Sequence, residues 1–327
     1  MTNTQQIRQE EALQKAAVLA EALPWLLKFQ ESIVVIKFGG NAMTNPLLSK
    51  QFAQDVVFLK LAGLKPIVVH GGGPQISKKL EESGIKSEFK SGYRVTTEES
   101  IKIVKDVLVN EIQKDLVSNI NENAKLAVGM SGDSNSLLEV EKFYLKDNDQ
   151  KIDIGLVGNV KKVDVKQIID VLESGQIPVI STIGIDKDKN IYNVNADTAA
   201  SAIAIAMKAH KMVILTDVAG LMEKYPDETT LIPTVDIAGL KKIMPSLDEG
   251  MKPKMQACLE AIEAGVKRAH VIDGRAPHAV LVEVFTDSGT GTMVIESMDK
   301  EWHRLIGTIS SLIIMELQPL NLWQEKG

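Results

Sequence analysis

The sequence predicts an α/β fold built on a largely parallel, open central sheet, and three observations predict it. Short apolar runs, which read as strands buried on both faces, alternate with helical stretches along most of the chain. Two of these runs, Val34-Val35-Ile36-Lys37-Phe38 and Ile67-Val68-Val69-His70, hand over directly to glycines, at Gly39-Gly40 and at Gly71-Gly72-Gly73. Open parallel sheets bind ligands beyond the carboxyl ends of their strands, so glycines at two such ends mark a place where a ligand meets bare backbone.

Taken in order, residues 5–29 read as an amphipathic helix. Ile7, Leu13, Ala17 and Ala20 recur at helical spacing, and Leu23, Leu26 and Leu27 extend the apolar side. Pro24 removes a donor and crowds the preceding turn, so a kink is expected there. Exposed leucines on such a helix call for a partner. Strand 33–36, helix 49–61, strand 66–70 and helix 74–83 follow, with Pro74 suited to a first helical position. Residues 85–96 read as irregular or as a hairpin. A long helical stretch over 98–121, broken in the middle, leads to strand 126–130. Further strands are expected at 137–144, 154–163 and 178–181, with helix 167–173 before the last and an alanine-dense helix over 194–208. In the second half, strand 212–216 ends at Asp217, a loop carries Tyr225-Pro226, and helix 254–263 precedes strands 269–272 and 292–295. No internal repeat is visible. The two halves, divided near residue 208, suit different ligands. Residues 297–327 read as an appendage with an apolar run, Leu312-Ile313-Ile314-Met315.

With 327 residues the chain suffices for one large domain or two ordinary ones. Its 44% hydrophobic and 24% charged residues fit a soluble globular protein, and 4% aromatics leave an aliphatic core. A formal charge of -6 argues against nucleic acid but leaves room for an anionic substrate, because local charge governs binding. Cys258 is the one cysteine, so a disulfide scaffold is excluded, and its helix-face setting reads as packing. The most apolar late run, 305–315, is too short to span a bilayer, and no cleavable signal is visible. A cytoplasmic protein is expected, or a stromal one in a photosynthetic eukaryote.

The chemistry concentrates in a few residues. Lys37 sits at a strand's carboxyl end beside Gly39 and Gly40, whose amides are open to phosphate oxygens. Gly71-Gly72-Gly73 repeats that arrangement ahead of a helix. Neither loop is a Walker A, since no Gly-Lys-Ser/Thr follows, nor a dinucleotide fingerprint, since the third glycine is missing. Arg94, in Ser91-Gly92-Tyr93-Arg94-Val95-Thr96, offers a two-pronged donor for a carboxylate. In Asn193-Val194-Asn195-Ala196-Asp197 either asparagine can cap the next helix, with Asp197 in its first turn. The functional alternative puts Asn193 on substrate and Asp197 between two lysines, keeping both protonated. Lys254, after Gly250-Met251-Lys252-Pro253, lies near a helix start where a cation wants an anion; Lys252 is the alternative. Together these residues point to phosphoryl transfer.

On these motifs the chain resembles the acetylglutamate kinases of the amino acid kinase family over about residues 20–296. The matching segments include Lys37-Phe38-Gly39-Gly40-Asn41, His70-Gly71-Gly72-Gly73-Pro74, Gly92-Tyr93-Arg94-Val95-Thr96, Asn193-Val194-Asn195-Ala196-Asp197, Leu215-Thr216-Asp217-Val218, Gly250-Met251-Lys252-Pro253-Lys254, His270-Val271-Ile272-Asp273-Gly274-Arg275 and Gly289-Thr290-Gly291-Thr292-Met293. The resemblance implies a three-layer αβα sandwich. It implies phosphorylation of the γ-carboxylate of N-acetyl-L-glutamate by ATP with Mg²⁺, the second step of arginine synthesis through acetylated intermediates. Lys37 and Lys254 become transition-state stabilisers, Asp197 their organiser, and Gly40 an amide donor to the transferring phosphoryl. Gly72, Gly73, Arg94 and Asn193 become acetylglutamate contacts. Lys37, Gly39, Gly40, Asp217, Tyr225 and Lys254 fall on the nucleotide side, and no protein metal site is implied. The implied divisions are a regulatory and oligomerisation helix (1–30), an acetylglutamate and dimerisation lobe (31–208), an ATP lobe (209–296) and the appendage (297–327).

The N-terminal helix also resembles that of arginine-inhibited members, where it interlaces dimers into a hexamer. This implies feedback inhibition by L-arginine at a site containing His270, Glu283 and Gly289, with Trp25 standing where the family usually has tyrosine. Homologues in some phototrophs also bind a PII signalling protein. Where the family often has Gly-Lys-Asp-Gly, this chain has Gly132-Asp133-Ser134-Asn135, and the tail has no counterpart. Aspartokinase and carbamate kinase share the fold, but the chain lacks a long regulatory module, and Arg94 with Asn193 suits an amino-acid carboxylate better than carbamate. An acetylglutamate synthase needs an added acetyltransferase domain. A non-catalytic arginine sensor or scaffold is the reading from another class, and Lys37, Asp197 and Lys254 argue against it.

Overall fold

The computed structural model describes residues 3–147, 150–285 and 289–298. Helix α1 (Asn3–Phe29) continues through Pro24 as far as Phe29. The first two strand-helix units are β1 (Ile33–Phe38), α2 (Pro46–Leu61), β2 (Lys65–His70) and α3 (Gly73–Glu82). Asn45 starts α2 by accepting the Leu47 and Leu48 amides at 3.0 and 3.3 Å, with Pro46 in the first turn. Residues 85–96 resolve into the hairpin β3 (Phe89–Lys90) and β4 (Tyr93–Arg94). The stretch expected to break does not: α4 (Ser100–Asp106) passes into α5 (Gln113–Asn123) through a π-helical segment, Val107–Ile112. An inserted residue widens the coil there instead of interrupting it.

Strands β5 (Ala127–Ser131), β6 (Leu138–Asp147), β7 (Gln150–Val163) and β8 (Ile177–Ser181), with α6 (Val165–Glu173), lie close to expectation. The Gly132–Asn135 turn is anchored by Asp133, which pairs with Lys105 at 2.6 Å and accepts from Ser131. Two short strands, β9 (Ile183–Ile185) and β10 (Ile191–Val194), were not expected. They take Val194 out of the predicted helix, so α7 spans Ala196–Ala206. The second half holds β11 (Lys211–Thr216), β12 (Thr234–Asp236), α8 (Ile237–Ile243), α9 (Lys252–Glu263), β13 (Arg268–Asp273), α10 (Ala279–Phe285) and β14 (Thr292–Ile295). Of these, β12, α8 and α10 carry too few residues to announce a period. The appendage beyond residue 298, including its apolar run, lies outside the described residues. No described helix is long and apolar enough to cross a membrane.

The main sheet runs β12-β14-β13-β11-β1-β2-β8-β5, parallel throughout except where β14 meets β13. A smaller sheet, β10-β7-β6-β9, closes on itself at one side. Alternation along the strands sorts the core into two layers. Val34, Ile36 and Phe38 face α2, α5 and α10, joined by Val68, Val213 and Leu215. Val35 faces the other way, with Ile67, Val69, Met212 and Ile214, toward α7 and α9. This is the expected three-layer αβα sandwich, and it decides where the site forms. Lys37 shares the face of Val35, so its side chain points at the layer that holds α7 and α9.

Candidate active site

Parallel pairing brings the carboxyl ends of β1, β2, β8 and β11 to one edge. Lys37 is there, 7% exposed, and its Nζ lies 3.1 Å from Asp197 Oδ1. Lys254, near the start of α9, donates from Nζ to Asp197 Oδ2 at 3.0 Å. One carboxylate therefore spans both lysines, as the sequence suggested, and Lys254 takes the place that Lys252 could have filled. Burial alone would raise the Asp197 carboxyl, but Lys254 and Lys37 together hold it well below the usual carboxylate range. Asp197 raises Lys254 above the ordinary ammonium value. Lys37 is lowered, mainly by burial and then by Lys254, with Asp197 opposing both. An incoming anion would favour its charged form.

The capping question is settled by division of labour. Asn195 caps α7, its Oδ1 accepting the amides of Asp197 and Thr198 at 2.9 and 3.1 Å. Asn193 does not cap. It donates to Thr96 Oγ1 at 3.3 Å and lines the cleft.

The glycine loops close the cleft from the strand side. Gly40 has φ +74, and a Cβ there would fall 2.7 Å from Asp217 Oδ1, so a side chain would meet both strain and a clash. Asp217 in turn accepts the Asn41 amide at 2.9 Å, tying the end of β11 to the turn after β1. A Cβ on Gly72 would sit 2.3 Å from Ile112 Cδ1 of the π segment, whereas the space beside Gly73 is open. Gly39, Gly40, Gly72 and Gly73 all line the cleft with Lys37, Lys254, Asn193 and Asp217.

Arg94 forms the far wall. It is 7% exposed, and no described carboxylate pairs with it. Its guanidinium donates to Gly73 O at 2.8 Å, to Ser77 Oγ at 2.9 Å and to Ser87 Oγ, and lies 4.6 Å from the centre of the Phe89 ring. Burial brings it down to about 10. Ser77, Ser87 and Phe89 were not foreseen, because their role follows from the hairpin folding over α3 and no local pattern encodes that. Tyr225, expected near the nucleotide, is 64% exposed on the loop after β11 and is absent from the cleft wall. Burial pushes the Cys258 thiol up, in keeping with its packing role.

A second cluster gathers His270, Glu283 and Gly289. His270 Nδ1 lies 2.6 Å from Glu283 Oε1, and Glu283 Oε2 accepts the Thr290 amide at 2.9 Å beside Gly289. Burial lowers His270, and Glu283 opposes the shift. Lys211, also buried, is brought down to about 8 by burial and by Arg268. Trp25 reaches this region indirectly. It stacks on Phe29 at 5.8 Å, and Lys211 Nζ lies 4.6 Å from the Phe29 ring centre. Phe29 and Lys211 were not singled out in the sequence. Helical spacing from Trp25 to Phe29 was the signal available for the first.

The amino acid kinase family pattern matches residues 32–273. An acetylglutamate kinase from Beutenbergia cavernae is 51% identical over 286 residues, covering 87% of this chain and 92% of its own length. One from Nocardioides sp. is 47% identical over 296 residues, covering 90% and 95%. Among solved structures, an N-acetylglutamate synthase from Neisseria gonorrhoeae superposes with TM-score 0.76 at 22% identity. It covers 86% of this chain, which spans 63% of that longer protein, and it speaks to the fold. A carbamate kinase from Giardia lamblia superposes with TM-score 0.56 at 16% identity, over 82% of this chain and 99% of its own. With a family pattern over most of its length and relatives at about half identity, the chain belongs to the amino acid kinase family, among the acetylglutamate kinases.

Proposed function

We propose that the protein transfers the terminal phosphoryl group of ATP to the γ-carboxylate of N-acetyl-L-glutamate, in arginine biosynthesis, and that the Lys37–Asp197–Lys254 cleft is where it does so. The observation that carries this reading is a buried carboxylate holding two lysines beside two glycine loops. Counting Arg94, three cations face two carboxylates, Asp197 and Asp217, so the cleft suits anions. Residues 31–208 supply the acetylglutamate side and 209–296 the nucleotide side. Arg94 and Asn193 are suited to the amino-acid end of acetylglutamate, with Gly72 and Gly73 amides on its oxygens.

The reaction needs no protein base, because a carboxylate is already ionised near neutral pH. Its difficulty lies in bringing two anions together. Lys37 from the strand and Lys254 from the helix offset that repulsion and stabilise the equatorial oxygens of the transferring group, with the Gly40 amide as a further donor. Asp197 fixes the two ammonium groups relative to each other. Bound to the ATP phosphates, Mg²⁺ supplies further charge neutralisation. The product is an acyl phosphate.

Release of ADP from MgATP tests this, with N-acetylglutamate, glutamate, aspartate and carbamate in parallel. Turnover with N-acetylglutamate alone is expected. Equal turnover with carbamate would defeat the reading.

A regulatory reading is favoured by the second cluster. His270, Glu283 and Gly289, joined by Lys211 and roofed by Phe29, offer a carboxylate and a buried ammonium suited to an arginine zwitterion. The exposed Leu13, Leu19, Leu23 and Leu27 of α1 suit an assembly of dimers into a hexamer. If saturating L-arginine leaves turnover unchanged in the intact protein, this second reading fails.

A further inference from the structure

His70 ends β2 and is fully buried. Its side chain lies on the face of Val68, opposite to that of Lys37, so it approaches the glycine loop from beneath and stays clear of the cleft. Every carbonyl from 70 to 73 is held by a donor of its own. Thr182 Oγ1 donates to His70 O at 3.3 Å, and the His70 ring Nδ1 lies 3.2 Å from Gly71 O. The Ile76 amide donates to Gly72 O at 2.8 Å, and Arg94 to Gly73 O at 2.8 Å. The Gly71 amide is taken by Phe38 O at 3.1 Å. Among the described residues this leaves the amides of Gly72 and Gly73 with no intramolecular partner, on the loop that lines the cleft.

A carbonyl oxygen can only accept, so the contact with Gly71 requires the proton on Nδ1. Burial lowers His70 to about 4, which keeps the ring neutral. Nε2 then carries a bare lone pair, and it is buried with no partner among the described residues. An orphaned buried acceptor is destabilising, so packing alone would favour an apolar residue here. The donor on Nδ1 is what the imidazole adds.

We infer that His70 is a positioning residue for the acceptor substrate: by holding the Gly71 carbonyl it fixes the peptide planes that present the Gly72 and Gly73 amides to an N-acetylglutamate oxygen. This rests on the proposed placement of that substrate against the loop. The side chain touches no reactant.

The test compares His70→Leu, His70→Asn and His70→Gln. The Asn amide nitrogen occupies the place of Nδ1, whereas that of Gln occupies the place of Nε2. With Leu and Gln, KM for N-acetylglutamate is expected to rise about fivefold while KM for ATP stays put, the loss of one net hydrogen bond. Asn restores it to within about twofold, and Leu unfolds at the wild-type temperature or above because the orphan is gone. Long-range ¹⁵N–¹H spectra of the wild-type protein, which has five histidines, should place the His70 proton on Nδ1. A proton on Nε2, an Asn variant as impaired as Leu, or a matching rise in KM for ATP overturns the inference. So do Leu and Gln variants that keep the wild-type KM. Gly73→Ala probes the underlying placement, since Gly73 lines the cleft and a methyl there meets no protein atom within 4 Å. If Gly73→Ala raises KM for N-acetylglutamate and the His70 variants do not, the inference fails alone; if Gly73→Ala changes nothing, the placement fails and the inference with it.

Discussion

Asp197 and Asp55 are both buried aspartates on helices packed against the central sheet, one on each face, yet their surroundings drive them in opposite directions. Asp197 meets two lysine ammonium groups at 3.0 and 3.1 Å and stays ionised far into acid. Asp55 meets the half-exposed His278 at 2.6 Å and the amides of Val280 and Leu281, and burial outweighs them, raising it to about 6. Equal burial thus yields opposite outcomes, and the number of firmly held cations decides which. With Arg94 across the cleft and Asp217 as the second carboxylate, Lys37 and Lys254 also leave one surplus positive charge, which suits an anion from outside. Asp55 leaves no such surplus. It fastens α10 to α2.

The largest test of this contrast is Asp197→Asn. Removing the carboxylate leaves two buried lysines facing each other without a partner, and the loss is expected to be about 3–5 kcal/mol at neutral pH. The sign follows from linkage. A carboxyl lowered by folding contributes stability above its unfolded pKa of about 3.9, lost as pH falls through the lowered value. The gap between wild type and variant in denaturant unfolding should therefore shrink in acid. A loss below about 1 kcal/mol at pH 7 would mean the lysines find relief elsewhere.

Next comes Lys37→Ala, which removes charge from the surplus and keeps the Asp197–Lys254 pair. The expected fall in kcat for ADP release is about 10²–10³-fold, as for one lost donor to a developing charge. Lost kcat with an unchanged unfolding temperature assigns Lys37 to the transition state. A fall in stability with no fall in kcat would assign it to the fold. Smaller still is Arg94→Lys. The charge survives, but one ammonium cannot reach Gly73, Ser77 and Ser87 and still present a fork to substrate. KM for N-acetylglutamate should rise about tenfold with kcat little changed. If it does not rise, Arg94 braces the hairpin and does not hold the substrate.

Which parts of this were legible in the sequence follows from the range of the forces involved. Lys37, Gly39 and Gly40 announce themselves because a strand's apolar run and its terminal glycines are contiguous. Asp197 was legible as a choice between a helix's first turn and a place between the lysines, and the structure puts it in both, with Asn195 as the cap. The long helix over 98–121 was expected to break in its middle, and a π segment stands there instead. It places Ile112 against Gly72, a contact between residues 40 apart that no local pattern encodes. The short strands β9 and β10 have too few residues to show alternation and exist because a neighbouring sheet edge accepts them. Asp55 gave no signal at all, since an aspartate in a helix reads as surface until the other helix arrives.

Asp55→Asn carries the smallest effect and tests the other half of the comparison. A carboxyl raised by folding contributes stability below its unfolded pKa, lost as pH climbs through the raised value of about 6. Ionised Asp55 is therefore a burden at pH 7 that an amide does not share, though the amide bonds less strongly to His278 and the α10 amides. These terms oppose, so the net change at any one pH is on the order of 1 kcal/mol, with His278 open to solvent and screening the pair. The slope is the sharper measure. Wild type should lose stability relative to Asp55→Asn as pH rises from 4 to 7, opposite in sign to the trend for Asp197→Asn. Two variants with parallel pH trends would show that burial, and not the number of lysines held close, sets the state of both carboxyls.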